Sequence, residues 1–481
     1  MSEIKKATFM KKFSKAINEG YAAIFAGAGF SKSAGYVDWR TLLKPFAEEL
    51  NLDIEKETNL ISLAQFYRNE MQSRNSINQE IVDQFSQEKE LNDNIKIATR
   101  LPIYTYWTTN YDKLLEEGLR YNDRRADVKI TSKQLISHKR DRDAIVYKMH
   151  GDVDFAEDAV LTKEDYEVYN QNRALFTTVL QGDLVSKTFL FVGFSFDDPN
   201  LDHILSKTRI LSGGSIGESY WLEKKVSKPN TEDLDDLEKK VVLDEYNANE
   251  IKQKLKINEL QRYGISTVLI KNYDEITSIL AQLEEMNLRK NIFISGSMES
   301  FNSDWDEKKV NDFCTFLSKK IVEKNYKIHS GFGLGVGSNV INGALEEIYS
   351  SKYKHIDEHL LLRPFPQNII DDDERVKSWR RYREGIISEV GISIFIFGNK
   401  IDKNNKINLA TGMREEFEIA KQNNNIIIPV GSTGEMAKII YDEVKDNIAD
   451  YPYLESSMDV LGTSYDTLEL TNCVLDILNS I

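Results

Sequence analysis

The chain has 481 residues, 41% of them hydrophobic, which allows roughly two to four domains, each with its own buried core. A formal net charge of −15 argues against a general binder of nucleic acid or of a membrane surface. No run approaches the roughly 18 apolar residues of a membrane span, and residues 1–15 carry lysines without the apolar core of a secretory signal. The two cysteines, Cys314 and Cys473, cannot build a disulfide framework or a Cys-x-x-Cys zinc site. The expected compartment is therefore a reducing cytoplasm, and no metal is expected.

In chain order, residues 8–20 read as an amphipathic helix leading into a short apolar strand at 22–26. A small-residue turn, Gly27-Ala28-Gly29-Phe30-Ser31, follows and passes into a helix start. Outward-facing backbone N–H groups and the missing Cβ atoms make such a turn a place for phosphate. It is neither the six-position dinucleotide fingerprint nor a P-loop, and a plain tight turn would use the same glycines. Residues 40–100 carry helical patterning, with Leu63, Phe66 and Tyr67 expected on one face, until Pro102 ends it. The segment 103–108 alternates as a strand and runs into Thr109-Asn110-Tyr111-Asp112, with a helix from Lys113. Strands at 144–149 and 188–192 deliver His150-Gly151-Asp152 and Gly193-Phe194-Ser195. Asp197 and Asp198 could suggest a metal pair, but Pro199 behind them makes a turn into a helix the better reading. Strands at 219–222 and 266–270 flank a charged helical stretch at 231–262.

A second unit begins near residue 290 with the same grammar. A strand at 291–294 precedes Ser295-Gly296-Ser297, and one at 326–329 precedes Ser330 and the glycine ladder Gly331, Gly333, Gly335 and Gly337. Strands at 359–362, 392–397 and 426–430 follow, and the tail after 435 is helical. Apolar strands separated by helices predict parallel sheets with helices on both faces. The small and polar clusters fall at the C-terminal ends of the strands, where ligands bind in open α/β sheets.

The glycine turn, Asn110-Tyr111-Asp112, His150-Gly151-Asp152 and Gly193-Phe194-Ser195 together have the order and spacing of a sirtuin catalytic domain, and residues 8–280 resemble that family. The resemblance implies that Asn110 and His150 are catalytic, and that Ala26, Gly27, Gly29, Phe30, Ser31, Asp112 and Ser195 contact NAD. Cleaving the nicotinamide–ribose bond passes through an oxocarbenium-like state, for which Asn110 can hold a ribose hydroxyl and a water. His150, with an ordinary pKa of about 6.5, suits a base at neutral pH. Either Asp112 or Asp152 could orient neighbouring groups. Asn110 could otherwise be a helix N-cap, and His150 a structural hydrogen-bonding residue. Deacylating sirtuins carry a four-cysteine zinc module that this chain cannot build, so water is the expected acceptor.

The second unit resembles the SLOG family of nucleotide-sensing domains through its Ser-Gly-Ser strand end and glycine ladder. Gly296, Ser297, Gly333, Leu334 and Gly335 are expected to line an effector site, with Arg383 and Lys400 as phosphate clamps and Glu416 as a ribose or base acceptor. Arg363 could be one more such residue or plain surface. Replacing Arg383 by Ala is expected to erase the effector response and leave the fold intact. The two units together, with the run 362–367, resemble the NADase effectors of the bacterial Thoeris anti-phage system. That resemblance implies two Rossmann-like α/β domains: a sirtuin-like parallel sheet with a helical insertion at 1–285, and a SLOG domain at 286–481. It also implies hydrolysis of NAD to nicotinamide and ADP-ribose, an activating cyclic ADP-ribose isomer made by a TIR-domain partner, and a homotetramer. A zinc-free deacylase or ADP-ribosyltransferase, and a non-catalytic nucleotide sensor, are the alternatives.

Overall fold

The computed structural model describes residues 3–214, 217–366, 369–402 and 404–481, so Gln367 of the 362–367 run lies outside the described residues. The chain divides into two units, residues 1–284 and 285–481.

The first unit is built on a parallel sheet of seven strands: β1 (Ala22–Ala26), β2 (Thr105–Thr108), β3 (Ala126–Lys129), β4 (Ala144–Lys148), β5 (Thr188–Val192), β6 (Ser219–Lys224) and β7 (Ile265–Ile270). Their order is β3-β4-β2-β1-β5-β6-β7. The strand order reverses at β1, which pairs in parallel with β2 on one side and β5 on the other. β1 is buried along its whole length and β5 along most of it, as the apolar runs require when helices cover both faces. Phe25 stacks on Phe191 with ring centroids 5.3 Å apart, inside a core that also holds Trp107, Phe176, Phe189 and Trp221.

The insertion between β1 and β2 is helical: Trp39–Glu49, Leu60–Met71, Asn75–Phe85 and Asp93–Arg100. Asp38, Asn59 and Asn92 start three of these helices by accepting a backbone N–H three residues on. Leu63 and Tyr67, one turn apart, are buried, whereas Phe66 is 55% exposed and does not share their face. The charged stretch forms one helix, Asp236–Gln261, opened by a capping box between Asp235 and Glu238.

Strand β3 breaks the apolar pattern. Its buried face carries Asp127 and Lys129, which pair at 2.8 Å, and Arg142 joins them at 3.0 Å. Polar residues point inward here, so the sequence gives no strand signal.

The second unit has a parallel sheet of five strands: β8 (Asn291–Ser297), β9 (Lys327–Ser330), β10 (Leu360–Leu362), β11 (Ile392–Phe397) and, after a hairpin, β14 (Ile426–Pro429). The order is β10-β9-β8-β11-β14. The antiparallel hairpin, β12 (Asn399–Ile401) and β13 (Ile407–Leu409), is short and mostly exposed and was not legible in the sequence. Helices Glu307–Glu323 and Gly337–Ser350 approach so closely that a Cβ at Gly343 would overlap the Thr315 carbonyl.

Candidate functional site

The turn after β1 is tied to the end of β5. Gly27 N–H donates to Val192 O (3.0 Å), Gly29 N–H to Gly193 O (2.9 Å) and Phe30 N–H to Gly27 O (3.0 Å). A Cβ at Gly27 would overlap Gly193 O, and Gly193 itself has φ +62°. These glycines let two strand ends touch backbone to backbone. The expectation of outward N–H groups therefore fails for residues 27, 29 and 30, because packing against the end of β5 uses the first two and the turn itself uses the third. The helix behind the turn, Ala28–Lys32, is a single short turn with Phe30 and Ser31 buried.

What this turn holds is Asn110. Thr108 at the end of β2 donates through Oγ1 to Ala26 O and accepts from the Asn110 N–H, each at 2.9 Å. Asn110 Nδ2 donates to Gly27 O (3.0 Å) and Ser31 Oγ (2.9 Å). A carbonyl only accepts, so the amide NH2 must face the turn, and Oδ1 faces away from it. Asn110 is not a helix cap: the next helix is Leu114–Tyr121, and Lys113 stands at its N-cap.

His150, just past β4, is fully buried. Its Nε2 lies 3.2 Å from Asp198 Oδ2, at an angle short of a good hydrogen bond. Asp198 caps the helix Pro199–Leu211 through Oδ1 and accepts from Tyr166 Oη (3.0 Å) through Oδ2. The rings of Trp39, Tyr166 and Tyr169 stand 6.3, 5.7 and 6.2 Å from the imidazole. Burial lowers the His150 pKa below its ordinary value, Asp198 opposes that, and Arg173 adds to it. The imidazole is thus neutral at neutral pH, as a base must be.

Below this pair lies Lys148, the last residue of β4 and fully buried. Its Nζ donates to Tyr111 O (3.1 Å), to Asp112 O and to Asp152 Oδ2, and pairs with Glu116 at 3.3 Å. Burial raises the carboxyl pKa of Asp112 and of Glu116, and Lys148 pulls both back. Burial would discharge Lys148 too, but Glu116, Asp152 and Asp112 outweigh it and its pKa is raised.

The structure thus joins Ala26, Gly27, Ser31 and Asn110 by hydrogen bonds, while Asp112, also buried, accepts from Leu114 N–H through Oδ1. Ser195, exposed past β5, makes no hydrogen bond to that set. Sequence reasoning missed Asp198 and Lys148. Asp198 was visible only as a helix start, which it is. A lysine ending an apolar strand two residues before His150 was a signal, since such a charge must be paired.

In the second unit, the glycine ladder lies on the end of β8. A Cβ at Gly333 would overlap Gly296 O, and one at Gly335 (φ +73°) would overlap Met298 O. Met298 N–H donates to Leu334 O at 2.9 Å, and the Leu334 side chain is 60% exposed. Ser297 Oγ donates to Asn399 O (2.8 Å). Arg383 is engaged within the protein. It donates to Glu415 (2.6 Å) and Glu416 (3.3 Å), with the Phe365 ring 5.1 Å from its guanidinium. Glu416 is buried and also accepts from Ser295 Oγ. Burial raises its pKa, which Ser295 and Arg383 offset. The expectation that Arg383→Ala leaves the fold intact is therefore corrected, since it would strand a buried carboxylate. Lys400 is exposed on the β12–β13 hairpin, and Arg363 pairs with Glu389 at 2.7 Å. Among the described residues no group of three or more His, Cys, Asp or Glu is placed to hold a metal, and no helix is long and apolar enough to cross a membrane.

Residues 104–250 match the SIR2-like domain family, and residues 275–481 match the Sir2- and TIR-associating SLOG family. The chain is 47% identical to the NAD(+) hydrolase ThsA of Bacillus cereus (strain MSX-D12), over 92% of this chain and 90% of that one. It is 43% identical to the ThsA of Cytobacillus dafuensis, over 99% and 97% of the two chains, and 42% identical to that of Enterococcus faecium, over 99% of each. On likeness of this extent, carried through both units, the chain belongs to the ThsA family of NAD(+) hydrolases, which pair a SIR2-like domain with a SLOG domain.

Proposed function

We propose that this chain hydrolyses NAD to nicotinamide and ADP-ribose in the 1–285 domain, under control of a cyclic ADP-ribose isomer bound by the 286–481 domain. One observation carries the catalytic part: an asparagine held by its NH2 against the turn after β1, on the same sheet edge as a buried neutral histidine. Asn110 Oδ1 accepts from a ribose hydroxyl or the attacking water. As the C1′–N bond breaks, its electron pair passes to the nicotinamide nitrogen and neutralises the ring. Water attacks C1′, and His150 takes its proton, with Asp198 stabilising the imidazolium that forms. NAD is the substrate, and the step needs no metal.

Regulation is supported by the cover over His150. With Trp39, Tyr166 and Tyr169 around a fully buried base, NAD must displace part of that wall to react. Such a form suits a resting enzyme that awaits a signal. The signal is read as a cyclic ADP-ribose isomer from a TIR-domain enzyme, bound near Gly296, Ser297, Gly333, Leu334, Gly335, Arg383, Lys400 and Glu416. The assembly is read as a homotetramer, working in the cytoplasm in anti-phage defence.

The test is incubation of the full-length chain with NAD, with and without cyclic ADP-ribose isomers, resolving products by chromatography. Nicotinamide and ADP-ribose released on stimulation, and lost in Asn110→Ala and His150→Ala, are expected. Deacylation of an acyl-lysine peptide, ADP-ribose transferred to protein, or NAD bound and never cleaved would each replace this reading.

A further inference from the structure

Lys148 carries a full charge at a fully buried position. A buried ion pair is a poor source of stability, because desolvation offsets most of the attraction. Its placement suggests another use. Two of its acceptors, the Tyr111 and Asp112 carbonyls, directly follow Asn110, and a third, the Asp152 carboxylate, lies two residues after His150. Val153 N–H also donates to Tyr111 O (3.1 Å), so the exits of β2 and β4 are braced twice. Asp112 is itself buried, with Oδ1 taken by Leu114 N–H at 3.0 Å.

We propose that Lys148 is a positioning residue for NAD cleavage: it sets the spacing of Asn110 and His150 by clamping the loops that carry them. The inference rests on the reading of Asn110 and His150 as the reacting residues, and the experiment separates the two.

The full-length chain is compared with Asn110→Ala, Asp152→Asn and the double variant Lys148→Met/Asp152→Asn, which removes the clamp together with the carboxylate bonded to it. Melting temperature, affinity for ADP-ribose by calorimetry, and kcat and KM for NAD under stimulation by cyclic ADP-ribose isomers are measured. The double variant should melt cooperatively and bind ADP-ribose within threefold of wild type, with kcat about 10²-fold lower, the size associated with misplacing reacting groups by about 1 Å. Asp152→Asn keeps the shape and the acceptor for Asp154 N–H, so it should fold, weaken the hold on Lys148 and lose about tenfold in kcat at unchanged KM. It carries the test if the double variant does not fold. A folded double variant with kcat within threefold of wild type would make Lys148 a fold element only. A raised KM at unchanged kcat in Asp152→Asn would make Asp152 a ligand contact. Either result overturns the proposal. Normal turnover by Asn110→Ala would instead overturn the site reading itself.

Discussion

Replacing Asp198 by Asn tests whether His150 is the base, and the structure sets the size of the effect. Asn is as good an N-cap as Asp, so the Pro199–Leu211 helix keeps its start and the variant should fold. What disappears is a negative charge 3.2 Å from Nε2. At an effective dielectric of about 20, a full imidazolium there gains about 5 kcal/mol from Asp198. A proton half-transferred in the transition state gains roughly half of that, so the variant should lose about 50- to 100-fold in kcat. The pH profile gives a second, independent readout. Burial already depresses the His150 pKa, and Asp198 is the group that resists it. Without that charge the pKa falls further, and the acidic limb of kcat/KM moves to lower pH. The assay is NAD hydrolysis by the stimulated full-length chain from about pH 5 to 8, the range in which histidine titrates, with melting temperature as a control. A rate within threefold of wild type and an unmoved acidic limb would refute the assignment, and leave Asp198 as a helix cap.

Arg383→Ala should lower the melting temperature, because stranding the buried Glu416 carboxylate costs about 3 kcal/mol. The double variant Arg383→Met/Glu416→Gln should restore stability but not the response to cyclic ADP-ribose isomers, and a restored response would remove this pair from the effector site. Gly335→Ala should destabilise the second unit by about 3 kcal/mol or more, through the φ of +73° and the overlap with Met298 O, and unchanged denaturant unfolding would contradict that backbone. His329, pushed down to about 3 by burial and then by Lys327 and Arg363, stays neutral in the folded chain where an unfolded histidine is charged. The unfolded state then binds more protons between about pH 3 and 6.5, so stability is full above 6.5 and is lost as pH falls, by up to about 1.4 kcal/mol per unit. His329→Leu should flatten that slope in urea titrations, and parallel slopes would show that His329 is not its source. EDTA should leave NAD cleavage unchanged, and activity lost to chelation and regained with a metal would put a metal in the step.

The strands that carry the site were legible because two physical demands coincide in them. A strand buried on both faces must be apolar throughout, and its ligand-side end must turn at once, so β1 and β5 read as apolar runs ending at glycine. Where burial is achieved by pairing charges, the same reasoning fails, and Asp127 and Lys129 conceal β3. The site divides along the same line. Asn110 and His150 stand out as polar residues just past strand ends, a property of the local sequence. The partners that orient them are fixed by distant docking. Asp198 reaches His150 only because of where the Pro199–Leu211 helix begins, and Arg383 meets Glu416 across 33 residues. The glycines show the limit most plainly. A Gly-x-Gly turn after a strand is written the same way whether it must admit a phosphate or a neighbouring strand end. Here Gly27 and Gly29 face Gly193, and Gly333 faces Gly296. The close backbone approach is satisfied inside the protein in both units. Ligand contact must therefore be argued from side chains, Asn110 at the first turn and Leu334 with the Arg383–Glu416 pair in the second unit, and at that pair only the double variant separates binding from folding.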